Sequence, residues 1–235
     1  FLWGLKVLFN PAIKGTGYSA GQTGYIEMLG DLAQVRATLT EIKNAIIADP
    51  LRPKWPTTST APATLQAIPV RAAVMLLGLV SGISTQSNTY DGVAGPPGAS
   101  ETTFGVALSP ALAVLENGAD AAGLAVLANY DMERRAGGVV FDNSTTNYST
   151  RLGTAGTTYA AALSGLDAAR GILGYLALMP RVKSDPAAVA TLNSMYQIQG
   201  KIEVPTIALS ATADHITPAG AAQYLIDQYN AAVTD

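Results

Sequence analysis

Residues 202–218 read IEVPTIALSATADHITP. Val204, Ile207 and Leu209 give the first half the β-branched and apolar content of a buried strand. Residues 212–217 supply a turn carrying Asp214, and Pro218 suits the first position of a helix capped by Thr217. That helix continues through Ala221, Tyr224, Leu225 and Tyr229. The segment predicts strand, acid-bearing loop and helix in succession. The C-terminal end of a strand is where open α/β sheets place their chemistry. A loop aspartate also serves plain turns and caps, so position alone leaves both roles open for Asp214.

Upstream of this stretch the chain reads as helices. Between Tyr25 and Ile47, apolar residues recur at Leu32, Val35, Leu39, Ile42 and Ile46, the spacing of one long amphipathic helix. Asp31, Gln34, Glu41 and Lys43 fall on its other face, and Pro50 ends it. Val70 to Ile83 is apolar nearly all round but shorter than the ~20 residues of a membrane span, so it predicts a buried helix. Residues 84–101 form a long Gly-, Ser- and Pro-rich loop. Val106 to Arg135 is helical again, with an expected break near Asn117-Gly118, and Tyr159 to Met179 holds one or two helices. Asp185-Pro186 opens a short helix through Leu192. No internal repeat, heptad run or metal-ligand cluster is apparent.

Composition narrows the partners. Charged residues are 13% of the 235, about half the roughly 25% of ordinary soluble domains. Hydrophobic residues reach 49%, with a mean hydropathy of +0.24. A surface so poor in charge packs against further protein or meets an apolar ligand. The net charge of −3 and scattered basic residues give no footprint for nucleic acid. Cysteine is absent, which excludes disulfides and thiolate metal sites and leaves the compartment open. Two glycosylation sequons occur, at Asn143 and Asn147.

The stretch KIEVPTIALSATADHITP at 201–218 resembles the late strand of an α/β-hydrolase: a Val-Pro-Thr strand, a short loop with Asp, and a helix that starts at proline. ERRAGGVVFDNSTTNYSTRL (133–152) and MPRVKSDPAAVATLNSMYQIQGKIEVP (179–205) resemble the end of the helical lid in a bacterial group of that family. Residues 1–9, FLWGLKVLF, look like the aromatic-rich helix that opens such a lid. The recognisable motifs cover roughly the last 110 residues; the earlier helices match in general character only.

The resemblance implies an α/β-hydrolase portion: a predominantly α-helical lid over residues 1–190 and, over 191–235, the C-terminal part of the core with its β-strand–loop–helix. It implies ester hydrolysis by a Ser-His-Asp mechanism, with Asp214 as the acid that orients the histidine. The only histidine, His215, is adjacent to Asp214, and neighbouring side chains on a loop diverge, so it suits a pocket rim better than a general base. The pattern G-x-S-x-G occurs once, at residues 17–21, but lacks the strand that should precede Ser19. A glycine-rich turn between helices explains it as well. On this reading the nucleophile and the imidazole lie outside the chain. The expected partners are a hydrophobic small-molecule ester and the rest of the hydrolase core, with no cofactor, metal, nucleic acid or membrane span. Trp3, Phe9, Tyr130 and Met132 are candidate pocket liners, although such side chains more often pack as core. The alternative is a non-catalytic helical module that binds an apolar ligand or a protein partner.

Overall fold

The computed structural model describes residues 1–49, 51–85, 101–195, 204–207, 209 and 220–234. These residues form helices and no β-strand. The helices are α1 (Leu2–Leu8), α2 (Gly21–Ala48), α3 (Ala63–Gln66), α4 (Val70–Ser81), α5 (Glu101–Ala136), α6 (Tyr148–Leu152), α7 (Ala155–Thr158), α8 (Leu166–Leu178), α9 (Pro186–Met195) and α10 (Gly220–Thr234).

The centre of the fold is α4. Its apolar residues run round the whole helix, so it buries on all sides; Ala72 to Leu76 have no exposed surface. Two glycines let neighbours approach it closely. A Cβ at Gly78 would sit 2.6 Å from the Val114 side chain of α5, and one at Gly4 of α1 would overlap Leu77. The long helices α2 and α5 pack along each other. Tyr25 at the start of α2 meets Tyr130 near the end of α5 at 6.3 Å between rings, so the two run antiparallel. Buried Val35, Leu39, Ile42 and Ile46 are the stripe expected from their spacing.

The fold corrects the sequence reading in three places. Among the described residues the expected C-terminal β-strand, and with it the α/β-hydrolase portion of the fold, is not seen; the loop expected at 212–217 lies outside them. Val204 to Ile207 and Leu209 form no strand, and Val204, Ile207 and Leu209 are 68%, 87% and 93% exposed. β-branched composition does not make a strand by itself: its N–H and C=O groups need a neighbouring strand, and the described residues offer none. Only the helix after it, α10, follows expectation. Secondly, α5 does not break near Asn117-Gly118. Gly118 is held in the helix by Phe1, whose ring lies 2.5 Å from where a Cβ would stand, and the Asn117 amide donates to the Ser84 carbonyl at 2.9 Å. Thirdly, Asp31 is not on the solvent face of α2 but only 4% exposed. Within α5, Pro110–Ala136 is long and apolar enough to cross a membrane, and 50% of its apolar window is buried in this fold.

The start of α2 shows how closely the preceding loop is held. A Cβ on Gly24 would overlap the Ser19 carbonyl oxygen and stand 2.9 Å from its carbonyl carbon. Gly→Ala inside a helix normally stabilises by up to about 1 kcal/mol. Here Gly24→Ala should destabilise by about 2 kcal/mol instead, because backbone cannot rotate away as a side chain can. Urea unfolding measures this, and a midpoint at or above that of the unaltered protein would refute the contact.

Candidate functional site

The loop between α1 and α2 carries buried Asn10 and is bonded by three other buried polar side chains, Asp31 and Thr38 of α2 and Glu133 of α5. Gly15 and Gly17 have φ of +75° and +72°, so the loop's tight path needs glycine at both. This path aims successive N–H groups at two carboxylates. Asp31 of α2 accepts from the N–H of Lys14 (2.8 Å) and Gly15 (2.6 Å) and from the Tyr18 hydroxyl (2.7 Å). Glu133 of α5, 5% exposed, accepts from the N–H of Gly17 (2.8 Å) and Tyr18 (3.0 Å) and from the Thr16 hydroxyl. Asn129 donates to the Gly15 carbonyl at 2.8 Å. Burial, and then the bond to Asp31, push the Tyr18 phenol far above its usual pKa. The loop is thus clamped between α2 and α5 by charge-assisted bonds.

Ser19 lies on this loop. Its hydroxyl donates to Glu27 Oε1 at 2.9 Å, and its N–H donates to Glu27 Oε2 at 2.7 Å. Lys14 pairs with the same carboxylate at 2.7 Å. Lys14 first, and then Ser19, hold the Glu27 pKa down to about 2. Such a carboxylate is too weak a base to activate a hydroxyl. Both glycines of the G-x-S-x-G stretch have positive φ, so a loop that secures the helix start accounts for the pattern. Asp214 and His215 lie outside the described residues.

Two of the quoted segments come together in space. Asn143 N–H donates to the Val182 carbonyl (3.1 Å), the Val182 N–H returns a bond to the Asn143 side chain (2.9 Å), and the Asp185 N–H reaches the Val139 carbonyl (2.7 Å). Arg181 donates to the carbonyls of Asn143 and Thr146 and lies over the Tyr148 ring. Asp142 accepts from Ser144 and Ser184; the Ser144 hydroxyl is the largest cause holding its carboxyl well below the usual range. The Asn143 side chain is buried and donates to the Tyr148 hydroxyl at 2.8 Å, so this sequon cannot carry a sugar in the folded chain. Asn147 is exposed and caps α6 by accepting from the Thr150 N–H.

Between these two polar structures lies an apolar cavity of about 240 Å³. Trp3 and Lys6 of α1, Ala125 of α5, the loop at Lys14–Thr16, and Phe141 with Val182 from the paired segments wall it. A second cavity of about 160 Å³ shares Trp3 and Phe141. The indole N–H of Trp3 is buried with no hydrogen-bond partner among the described residues. Of the four aromatic and Met candidates, Trp3 lines this cavity. Phe9 is fully buried against Trp55, with ring centroids 5.1 Å apart, and belongs to the core. Tyr130 packs edge-on to Tyr18, and Met132 is half-buried on α5. Sequence reasoning singled out none of Lys6, Phe141 and Val182; only the quoted motifs that contain them carried a signal. Comparison of the chain with protein-family models, curated proteins and solved structures finds no match.

Proposed function

We propose that this chain is the substrate-binding helical part of an ester hydrolase, its apolar cavity taking the acyl portion of the ester. The observation that carries this reading is the cavity wall. Phe141 and Val182 come from the two segments that resemble the end of a hydrolase lid, and here they pack as one unit beside an apolar space. A concave apolar site with few polar groups is the usual form of a small-molecule pocket. In this proposal Asp214 orients an imidazole. That imidazole takes the proton of a serine as it attacks the ester carbonyl, and water then releases the acid from the acyl-enzyme. The sole histidine, His215, neighbours Asp214, and Ser19 is bound to an ionised carboxylate. Nucleophile and imidazole therefore come from outside these 235 residues.

A second reading, a non-catalytic helical module that holds an apolar ligand, draws on the same cavity and on the single histidine. One assay separates the two. The natural protein should hydrolyse p-nitrophenyl octanoate with a lower KM than p-nitrophenyl acetate. Phe141→Ala should raise the octanoate KM roughly tenfold and leave the acetate KM unchanged, since only the longer acyl chain reaches the ring. Octanoate-ester binding without turnover would favour the module; neither binding nor turnover would refute both.

A further inference from the structure

The cavity wall holds a cation that makes no ion pair among the described residues. Lys6 reaches from α1 to donate to the carbonyls of Ile13 (2.7 Å) and Lys14 (3.2 Å). An ammonium has three N–H donors, so one remains. Lys14, the other lysine in the wall, is paired with Glu27. Lys6 forms no ion pair among the described residues, and the described cavity lining contains no carboxylate. Of the other polar groups nearby, the Thr16 hydroxyl donates to Glu133 and the Asn129 amide donates to Gly15, while the Trp3 indole N–H has no partner among the described residues. Burial lowers the Lys6 pKa from its ordinary value, and the Asp31 charge only partly offsets this.

We propose that this cavity binds a monocarboxylate with an apolar tail, its carboxylate seated on the Lys6 ammonium and its tail against Trp3 and Phe141. An anion there gives Lys6 a direct ion-pair partner and takes the remaining N–H in a charge-assisted bond. The apolar walls suit a hydrocarbon tail and disfavour a second charge. At roughly 30 Å³ per heavy atom, about 240 Å³ accommodates a chain of about eight heavy atoms, with the adjoining cavity as room beyond. The inference rests on the cavity as a ligand site and not on hydrolysis. If esters are the substrates, the ligand has the chemistry of the released acid, and the cavity retains product.

Titration calorimetry of the full chain with octanoate, 1-octanol and octylammonium tests this. Octanoate should bind at least tenfold more tightly than octanol, as a hydrogen bond to a charged group predicts, and octylammonium should not bind measurably. Lys6→Met should remove the octanoate advantage and leave octanol unchanged. Should that variant fail to fold, the order of the three ligands on the unaltered chain decides. Equal binding of octanoate and octanol, or an octanoate advantage that survives Lys6→Met, overturns the carboxylate assignment while the cavity stands. Binding of none of the three overturns the cavity reading as well. Absence of esterase activity bears on the proposed reaction alone.

Discussion

Asp214→Asn in the natural protein should lower kcat on a chromogenic ester by about 10⁴-fold, with KM little changed. The proposed acid accepts the N–H of an imidazole and thereby fixes which ring nitrogen faces the serine. An amide in its place favours the wrong tautomer and loses the charge that stabilises the imidazolium in the transition state. Neither effect touches bound substrate, so the loss belongs in kcat. An ester with a good leaving group needs less acid–base help and will show the smaller end of the range. His215→Ala should cost far less, because no proton transfer is assigned to it. Circular dichroism on both variants checks the fold. An inactive His215→Ala beside a nearly normal Asp214→Asn would mean that the resemblance carries the wrong residue.

The helices that could be read from sequence are those whose neighbours merely supply apolar surface. The stripe of α2, the all-round apolar α4 and the proline-started α9 needed no knowledge of their partners. Errors arose where a neighbour decides. Asn117-Gly118 has low helix propensity, yet the Phe1 ring and the Ser84 carbonyl fill and satisfy that turn of α5. Asp31 falls on the polar side of the α2 pattern, but the side faces a loop whose N–H groups need an acceptor. Val204 to Leu209 has the residues of a strand, and a strand is a property of a pair of segments.

The cavity was still less legible. Trp3 stood out as an aromatic on a short helix, but so did Phe9 six residues later, and only packing separates a liner from core. Lys6 reads as an ordinary surface lysine until the carbonyls of Ile13 and Lys14 are seen to draw it inward. Phe141 and Val182 are 41 positions apart in sequence and meet through the bonds between Asn143 and Val182. No linear pattern encodes such a site. What the sequence did mark was the pair of motifs around it.

Glu133→Ala should be the most damaging single change in the helical body, at about 4 kcal/mol. The carboxylate accepts three bonds from a loop that follows it by no local rule: Thr16, Gly17 and Tyr18 lie more than a hundred residues upstream. Removing it leaves two backbone donors and a hydroxyl without an acceptor, at roughly 1–3 kcal/mol for each group that water cannot reach. Gly17 is exposed and can turn to solvent, which keeps the total below the full sum. Glu133→Gln should lose about half as much, since its amide oxygen still accepts while its NH₂ opposes the remaining donors. Urea unfolding should show a lower midpoint at unchanged slope for both variants. Because Lys14 to Thr16 form one wall of the cavity, octanoate affinity should fall in the same order. A Glu133→Ala protein within about 1 kcal/mol of the unaltered chain would mean that water replaces the carboxylate, and that Asp31, Asn129 and Glu27 hold this loop without it.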